Sequence, residues 1–149
     1  VEQFIGRALV IHCPELREGE RVPFSAVERV RPLADQAEFL LFHTGWGRYW
    51  GTERYFGDYP CIDQGIVDYL LQSGKKGVGL DTIGVDPIAD AYLSIHRRLF
   101  QDHDLVVMEN LANLDQIGDG LFTLFALPLR YQDADGSPIR AVAVLDGEE

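Results

Sequence analysis

His96 and Glu109 have side chains that can bind metal ions or transfer protons, and both residues lie beside apolar segments of the sequence. His96 lies at the edge of the apolar face of a predicted helix, and Glu109 directly follows the apolar run 105–108 (LVVM). Imidazole nitrogens and carboxylate oxygens bind metal ions and exchange protons. The pair could therefore share a metal ion or a proton. The alternative is a hydrogen-bonded histidine on a helix edge and a glutamate that faces solvent.

The second candidate is a loop rich in glycine and aromatic residues, residues 43–51 (HTGWGRYWG), with the aromatic residues that follow it. Aromatic side chains on a loop after a buried strand can form the wall of a pocket for a flat organic ligand. They can also simply cover the core, because aromatic side chains bury a large apolar area. The three glycines favour a pocket, since they allow backbone conformations that a core cover does not need. The candidate substrate-binding residues are Trp46, Trp50, Tyr55 and Phe56.

Two aspartates lie at the ends of predicted elements. Asp81 follows the apolar segment Gly77–Leu80, and ligands of α/β sheets usually bind at such carboxyl ends of strands. A carboxylate at that position must be paired or hydrated. Asp86 precedes Pro87, a combination typical of a helix start with an N-cap carboxylate and proline at the first helical position. Capping alone is a sufficient reason for Asp86.

The hydrophobic pattern predicts the elements that must position these residues. The order of strands and helices alternates in the middle and ends in an antiparallel pair, which predicts one α/β domain over residues 1–149 with a mixed sheet. Predicted strands are Ile5–His12, 39–42, Gly77–Leu80, 105–108, 121–127 and 139–145. Predicted helices are 25–30, one carrying Ile62, Ile66 and Leu70 that ends before Gly74, and one from Pro87 with Ile88, Tyr92, Ile95 and Leu99 on its buried face.

Composition limits the function classes. The 149 residues carry 13 Lys and Arg against 24 Asp and Glu, a net charge of −11 that disfavours binding to nucleic acid or an anionic membrane surface. No apolar run approaches the roughly 20 residues that span a bilayer. Cys13 and Cys61 are too few for a disulfide framework, which favours a reducing cytoplasm. The first residue is Val1, so we expect a removed N-terminus or a piece of a longer protein.

Several catalytic motifs are missing from the sequence. It contains no GxxxxGK[ST] phosphate loop, no GxGxxG, no GxSxG and no HExxH. The other three histidines are scattered: His12 and His43 each end a predicted strand and face either a site or water, and His103 is expected in solvent.

Four segments, in order along almost the whole chain, resemble the cyclase-like metal-dependent hydrolase family, which includes bacterial kynurenine formamidase and isatin hydrolase. Gly84 stands where that family often carries serine, so a role that depends on the serine hydroxyl is in doubt. The segments are residues 40–46 (LLFHTGW) with Trp50; 78–86 (VGLDTIGVD); His96 with 107–111 (VMENL) and 113–115 (NLD); and 125–129 (FALPL) with 137–142 (SPIRAV).

The resemblance implies a swivelling β/β/α domain that assembles as a homo-oligomer, a dimer or tetramer, and hydrolyses an amide bond of a small aromatic or cyclic substrate. It implies that His96 and Glu109 are ligands of zinc or manganese and that the aromatic loop contacts the substrate. The family signature HxGTHxDxPxH, which supplies the other ligands and the catalytic histidine, has no counterpart here. We therefore expect the larger C-terminal part of such an enzyme, inactive alone. The alternative is a non-catalytic, truncated relative that serves as a binding or assembly subunit.

Overall fold

The centre of the fold is a six-stranded mixed sheet with the strand order β6-β5-β3-β1-β7-β8. The structure is a computed structural model that describes residues 1–101 and 103–145. A second, two-stranded parallel sheet joins β2 to β4. The strands are β1 (Ile5–His12), β2 (Arg21–Val22), β3 (Phe39–His43), β4 (Cys61–Ile62), β5 (Gly77–Leu80), β6 (Val106–Met108), β7 (Phe122–Phe125) and β8 (Val142–Leu145).

The sheet confirms the predicted α/β class and its mixed character. Strands β1, β3, β5 and β6 are parallel, whereas β7 is antiparallel to both β1 and β8. The central strands β3 and β5 are continuously apolar because both of their faces are buried. The last strand begins later than predicted, at Val142, since Ile139 forms only an isolated bridge with Pro128.

Four α-helices, α1 (Phe24–Glu28), α2 (Arg31–Gln36), α3 (Gln64–Gln72) and α4 (Ser94–Phe100), contribute to the larger core cluster. The opposite face of the sheet packs mainly against the loop that carries Leu111 and Leu114. Helix α3 confirms the predicted amphipathic segment at Ile66 and Leu70, whereas Ile62 belongs to strand β4 and not to the helix. Asp63 caps α3 by accepting a hydrogen bond from the Ile66 amide at 2.9 Å. Gly74 follows its end at a φ of +64°, a conformation that favours glycine.

The predicted helix start at Asp86-Pro87 is wrong, because α4 begins only at Ser94. The Asp90 carboxylate accepts hydrogen bonds from the backbone amides of Tyr92 and Ser94, an arrangement that competes with a regular helix. Ile88 and Tyr92 are therefore exposed and do not belong to a buried helix face, whereas Ile95 and Leu99 are buried as predicted.

A buried lysine stabilises the connection between α2 and β3. The Lys75 ammonium, 7% exposed, donates hydrogen bonds to the carbonyl oxygens of Ala34, Asp35 and Ala37 at 2.6, 3.2 and 2.6 Å. A cation near the carboxyl end of a helix also interacts favourably with the helix dipole. Burial lowers the pKa of Lys75.

Among the described residues, no helix combines the length and hydrophobicity needed to cross a membrane. Both Cys13 and Cys61 are free thiols.

Candidate metal and substrate site

The candidate site lies at the edge of the sheet where four neighbouring parallel strands end. Glu109 follows β6, Asp81 follows β5, His43 ends β3 and His12 ends β1. The carboxyl ends of parallel strands meet at one edge, which is where α/β sheets commonly bind ligands. The topology therefore brings together residues that are nearly one hundred positions apart in the sequence.

The two predicted metal ligands lie side by side at this edge. The distance between His96 Nε2 and Glu109 Oε1 is 3.2 Å. His96 reaches the edge from the first turn of α4, and its other ring nitrogen, Nδ1, lies 2.5 Å from Asp86 Oδ2. The Asp86 side chain is 2% exposed, while the Glu109 side chain is 34% exposed and accessible to a ligand.

The hydrogen bonds of His96 define what can sit between it and Glu109. Asp86 accepts hydrogen bonds from the backbone amides of Ile95 and His96, so both of its carboxylate oxygens act as acceptors. The Nδ1 atom of His96 must then donate to Asp86, and a neutral ring carries its free electron pair on Nε2. Nε2 and the Glu109 carboxylate are then two acceptors that face each other, an arrangement that requires a proton or a metal cation between them.

In the absence of a metal, a proton takes that position. The hydrogen bond with Glu109 raises the pKa of His96, burial opposes this effect, and the hydrogen bond with Asp86 adds to it. A carboxylate that binds the distal nitrogen of a metal-ligating histidine fixes the tautomer and orients the ring. Asp86 has this geometry with respect to His96.

Sequence reasoning missed the contact between Asp86 and His96, although it identified Asp86 as a cap. The carboxylate does cap a helix, but the helix is α4, whose Ile95 amide lies 2.5 Å from Asp86 Oδ1. The loop between them folds back through the turn at Asp90 and through Leu93, which has a φ of +52°. Asp90, whose carboxylate accepts from the Tyr92 and Ser94 amides, is of a residue type that favours turns and so was a local signal against a helix through this segment.

A third residue pair, Thr44 and Asp81, connects the loop after β3 to β5. Asp81 Oδ1 accepts hydrogen bonds from the Thr44 amide at 3.0 Å and the Thr44 hydroxyl at 2.6 Å. The Tyr55 hydroxyl lies near the Asp81 carbonyl and donates to Asn110 Oδ1 at 2.8 Å. Asp81 is thus paired, as a buried carboxylate must be, and this network joins the aromatic loop to the residue after Glu109.

The aromatic loop is divided between core and surface. Trp46, Tyr55 and Tyr59 are buried in one cluster with Cys61, whereas Trp50 and Phe56 are 67% and 57% exposed. Trp46 Nε1 donates to the Tyr55 carbonyl at 3.1 Å, which holds the loop in place. The rings of Trp50 and Phe56 both contact Tyr55 edge to face.

A cavity of about 670 Å³ opens beside this loop. Of the four predicted substrate-binding residues, Trp50 and Tyr55 line it, while Trp46 and Phe56 are not among its lining residues. Polar side chains line the cavity together with apolar ones, as in typical small-molecule sites. Its lining includes His43, Arg48, Trp50, Tyr55, Asp81 and Asn110.

The remaining strand-end histidines contact each other. His12 Nδ1 and His43 Nδ1 are 3.0 Å apart, and His12 Nε2 lies 3.1 Å from the Ile117 carbonyl. Since a carbonyl only accepts, His12 donates through Nε2, and a neutral His12 then accepts from His43 Nδ1. His43 lines the cavity, so of these two histidines it is the one that faces a site.

The donor set at His96 and Glu109 suits a divalent metal but is incomplete. Neutral imidazole nitrogen and carboxylate oxygen are ordinary ligands of zinc and manganese. Within residues 1–101 and 103–145, no three His, Cys, Asp or Glu side chains are grouped so that they could hold a metal ion. Catalytic zinc sites commonly use three protein ligands.

Comparison with known proteins places the chain in a family. The family model named Cyclase, described as putative cyclase, matches residues 1–87, more than half of the chain. The chain belongs to the cyclase family. A kynurenine formamidase from Bacillus thuringiensis (strain Al Hakam) is 34% identical over 148 residues, which covers 95% of this chain and 64% of that relative. The chain thus spans 64%, less than two thirds, of the length of this curated relative, and the resemblance seen in the motifs is confirmed.

Solved structures give the same fold. An isatin hydrolase bound to the product analogue thioisatinate superposes with a TM-score of 0.84 at 22% identity, covering 98% of this chain and 62% of the other. A potential metal-dependent hydrolase with cyclase activity gives a TM-score of 0.69 at 19% identity, covering 95% of this cyclase-family chain and 66% of the other. At these identities the likeness concerns the fold, and it confirms the predicted swivelling β/β/α class.

Proposed function

We propose that this cyclase-family chain forms the larger part of a metal-dependent amide hydrolase that acts on a small aromatic or cyclic amide. The observation that carries the proposal is the pair of facing acceptor atoms, His96 Nε2 and Glu109 Oε1, 3.2 Å apart and oriented by buried Asp86. The names of the similar proteins, kynurenine formamidase, isatin hydrolase and potential metal-dependent hydrolase, support the reaction class.

A zinc or manganese ion bound there would polarise an amide carbonyl and lower the pKa of water. His96 and Glu109 would hold the ion as two of its ligands, and Asp86 would keep the His96 ring in the ligating tautomer. At least one further ligand and the group that moves protons would come from outside the described residues. In the reaction, the oxygen of water adds to the carbonyl carbon, the carbon–nitrogen bond breaks, and the departing nitrogen takes a proton.

The aromatic loop would recognise the substrate. Trp50 and Tyr55 line the cavity and offer an apolar wall to an aromatic ring. Trp46 would act indirectly, since it is buried and its indole nitrogen donates to the Tyr55 carbonyl. Phe56, which is exposed and packs against Tyr55, would contact ligand only at the outer rim.

We also propose a cytoplasmic homo-oligomer, a dimer or tetramer. The edge strand β8 supports assembly, because Val142, Val144 and Leu145 are 44%, 50% and 56% exposed there. An apolar edge strand is a surface that readily pairs with another chain. Sedimentation velocity of the purified protein measures the assembly state directly, and a monomer at every concentration would contradict this part of the proposal.

The activity is tested with formanilide, a simple aryl formamide, and the protein at its full encoded length. We expect formate release that requires added zinc or manganese and stops with EDTA. His96→Gln and Glu109→Gln should each lower kcat/KM by at least about 100-fold, because each removes a metal ligand. His103→Gln, an exposed histidine, is the matched control and should leave the rate unchanged. If the full-length protein binds no metal and does not hydrolyse formanilide under any of these conditions, the alternative, a non-catalytic binding or assembly subunit, is favoured.

A further inference from the structure

Among the described residues, one hydroxyl beside the His96–Glu109 pair has no hydrogen-bond partner. Tyr59 is 6% exposed, yet no described residue accepts from or donates to its hydroxyl. Every fully buried side-chain nitrogen or oxygen of the described residues does have a partner, so the Tyr59 hydroxyl keeps some contact with solvent. A nearly buried polar group without a partner among the described residues is suited to meet a ligand.

The position of Gly84 shows where this hydroxyl lies. A Cβ atom at Gly84 would sit 3.1 Å from the Tyr59 hydroxyl oxygen and 3.4 Å from Glu109 Oε1. The Tyr59 hydroxyl and the carboxylate that would bind metal therefore flank one small space, which exists because residue 84 has no side chain. Gly84 does not have a positive φ, so its backbone alone does not require glycine.

We propose that the Tyr59 hydroxyl is a catalytic hydrogen-bond donor that binds the amide carbonyl oxygen of the substrate as that oxygen gains negative charge. A phenol remains a neutral donor at neutral pH. The Tyr59 ring is fixed by its cluster with Trp46, Tyr55 and Cys61, so the donor is held in position before the substrate binds. Preorganised donors of this kind stabilise developing oxyanions. The assignment rests on the proposed amide hydrolase function.

The same geometry explains how glycine at position 84 is compatible with this function. Where the resembling family often carries serine, this chain has glycine, and the Tyr59 hydroxyl oxygen lies only 3.1 Å from the position that a Cβ atom would take. A serine introduced at position 84 would place its own hydroxyl beside Glu109. Gly84→Ser should therefore restore a donor once the Tyr59 hydroxyl is removed.

The test compares wild type, Tyr59→Phe and the double variant Tyr59→Phe/Gly84→Ser in the metal-loaded, full-length protein. Formanilide hydrolysis gives kcat and KM, and calorimetry at pH 8 gives the Kd of N-phenylphosphoramidate, whose phosphoryl oxygens mimic the tetrahedral oxyanion. We expect Tyr59→Phe to lower kcat by about 10- to 1,000-fold with KM changed less than about threefold, and to weaken analogue binding by a similar factor. The double variant should have a kcat and an affinity for the analogue that are each at least about tenfold higher than those of Tyr59→Phe.

Tyr92→Phe is the control, because Tyr92 is 78% exposed and lies outside the site. Thermal unfolding checks that Tyr59→Phe, which keeps the aromatic ring, remains folded. Hydrolysis and analogue binding that are both unchanged by Tyr59→Phe would overturn the Tyr59 assignment and leave the hydrolase function standing. Analogue binding that depends on Tyr59, in a protein without turnover, would support the donor and overturn the hydrolase function. Neither turnover nor analogue binding in wild type would overturn both.

Discussion

Two clusters of partly buried charged groups, one at Lys75 and one at His96 and Glu109, differ in how completely their polar atoms are paired. The Lys75 ammonium donates to three backbone carbonyls at the end of α2. In the other cluster, His96 Nε2 and Glu109 Oε1 are 3.2 Å apart with room between them for either a proton or a metal cation, and the nearby Tyr59 hydroxyl has no partner among the described residues. Complete pairing serves stability, whereas incomplete pairing leaves capacity for a ligand.

The largest effect on stability is expected in the fully paired cluster. Lys75→Met keeps the side-chain length but leaves three backbone carbonyls without their donor, so the free energy of unfolding should fall by about 2–4 kcal/mol. Zinc affinity should not change. Urea denaturation measures the first quantity and calorimetry the second.

Lys76→Met is the matched control, because Lys76 carries the same charge one position later but on a more exposed side chain, which pairs with Glu38 and donates to the carbonyls of Glu2 and Ile5. It should cost about 1 kcal/mol or less. Equal losses for the two lysine variants would show that pairing at Lys75 is not what stabilises the fold.

A smaller loss of stability, together with a loss of metal affinity, is expected at Asp86, which contacts both α4 and His96. Asp86→Asn keeps one accepting oxygen but removes the charge, so we expect a loss of about 1–2 kcal/mol from the weakened cap. The His96 ring also loses its orienting carboxylate, which should weaken zinc binding about 10- to 100-fold.

Asp63→Asn is the control for lost backbone-amide contacts, since Asp63 accepts from the amides of Ile66 in α3 and of Phe24 and does not contact His96. It should lower stability to a similar degree without altering zinc affinity. A change in zinc affinity of the same size in both variants would contradict an orienting function for Asp86.

The smallest effect is a pH dependence of stability that comes from Glu38. The hydrogen bond from Lys76 lowers the pKa of Glu38 below its ordinary 4.5, burial opposes this, and the Arg7 amide adds a further donor. The folded state therefore favours the ionised carboxylate, and this stability is present above pH 4.5 and is lost as pH falls through the folded pKa. Glu38→Gln should flatten that part of the curve of stability against pH by less than about 1 kcal/mol. An unchanged acid limb in urea titrations would contradict this assignment.

Much of the fold was readable from the sequence because the strands are long apolar runs. The segments Ile5–His12 and Gly77–Leu80 were predicted with the bounds that the structure shows. The start of α4 was not predicted correctly. Asp86-Pro87 is a strong local signal for a helix start, but the turn at Asp90 prevents a helix from beginning there. Local propensity cannot reveal that a side chain caps a helix nine residues further along the chain.

The structure brings His96 and Glu109 into contact, while their role as metal ligands stays a prediction. His96 and Glu109 were identified from their positions after or beside apolar segments and from the family resemblance. The closeness of the Tyr59 hydroxyl to Gly84 was not predicted, because it depends on the packing of the aromatic loop against the turn after β5. A glycine where the resembling family often has serine was the sequence signal that pointed to this space.

The proposal that His96 and Glu109 together hold a divalent metal is tested most directly by zinc titration of the full-length protein with calorimetry. We compare wild type with His96→Gln, Glu109→Gln and the exposed control His103→Gln. We predict that wild type and the control bind zinc alike and that each ligand variant binds at least about tenfold more weakly. Zinc affinity that is the same in all four proteins would contradict the proposal.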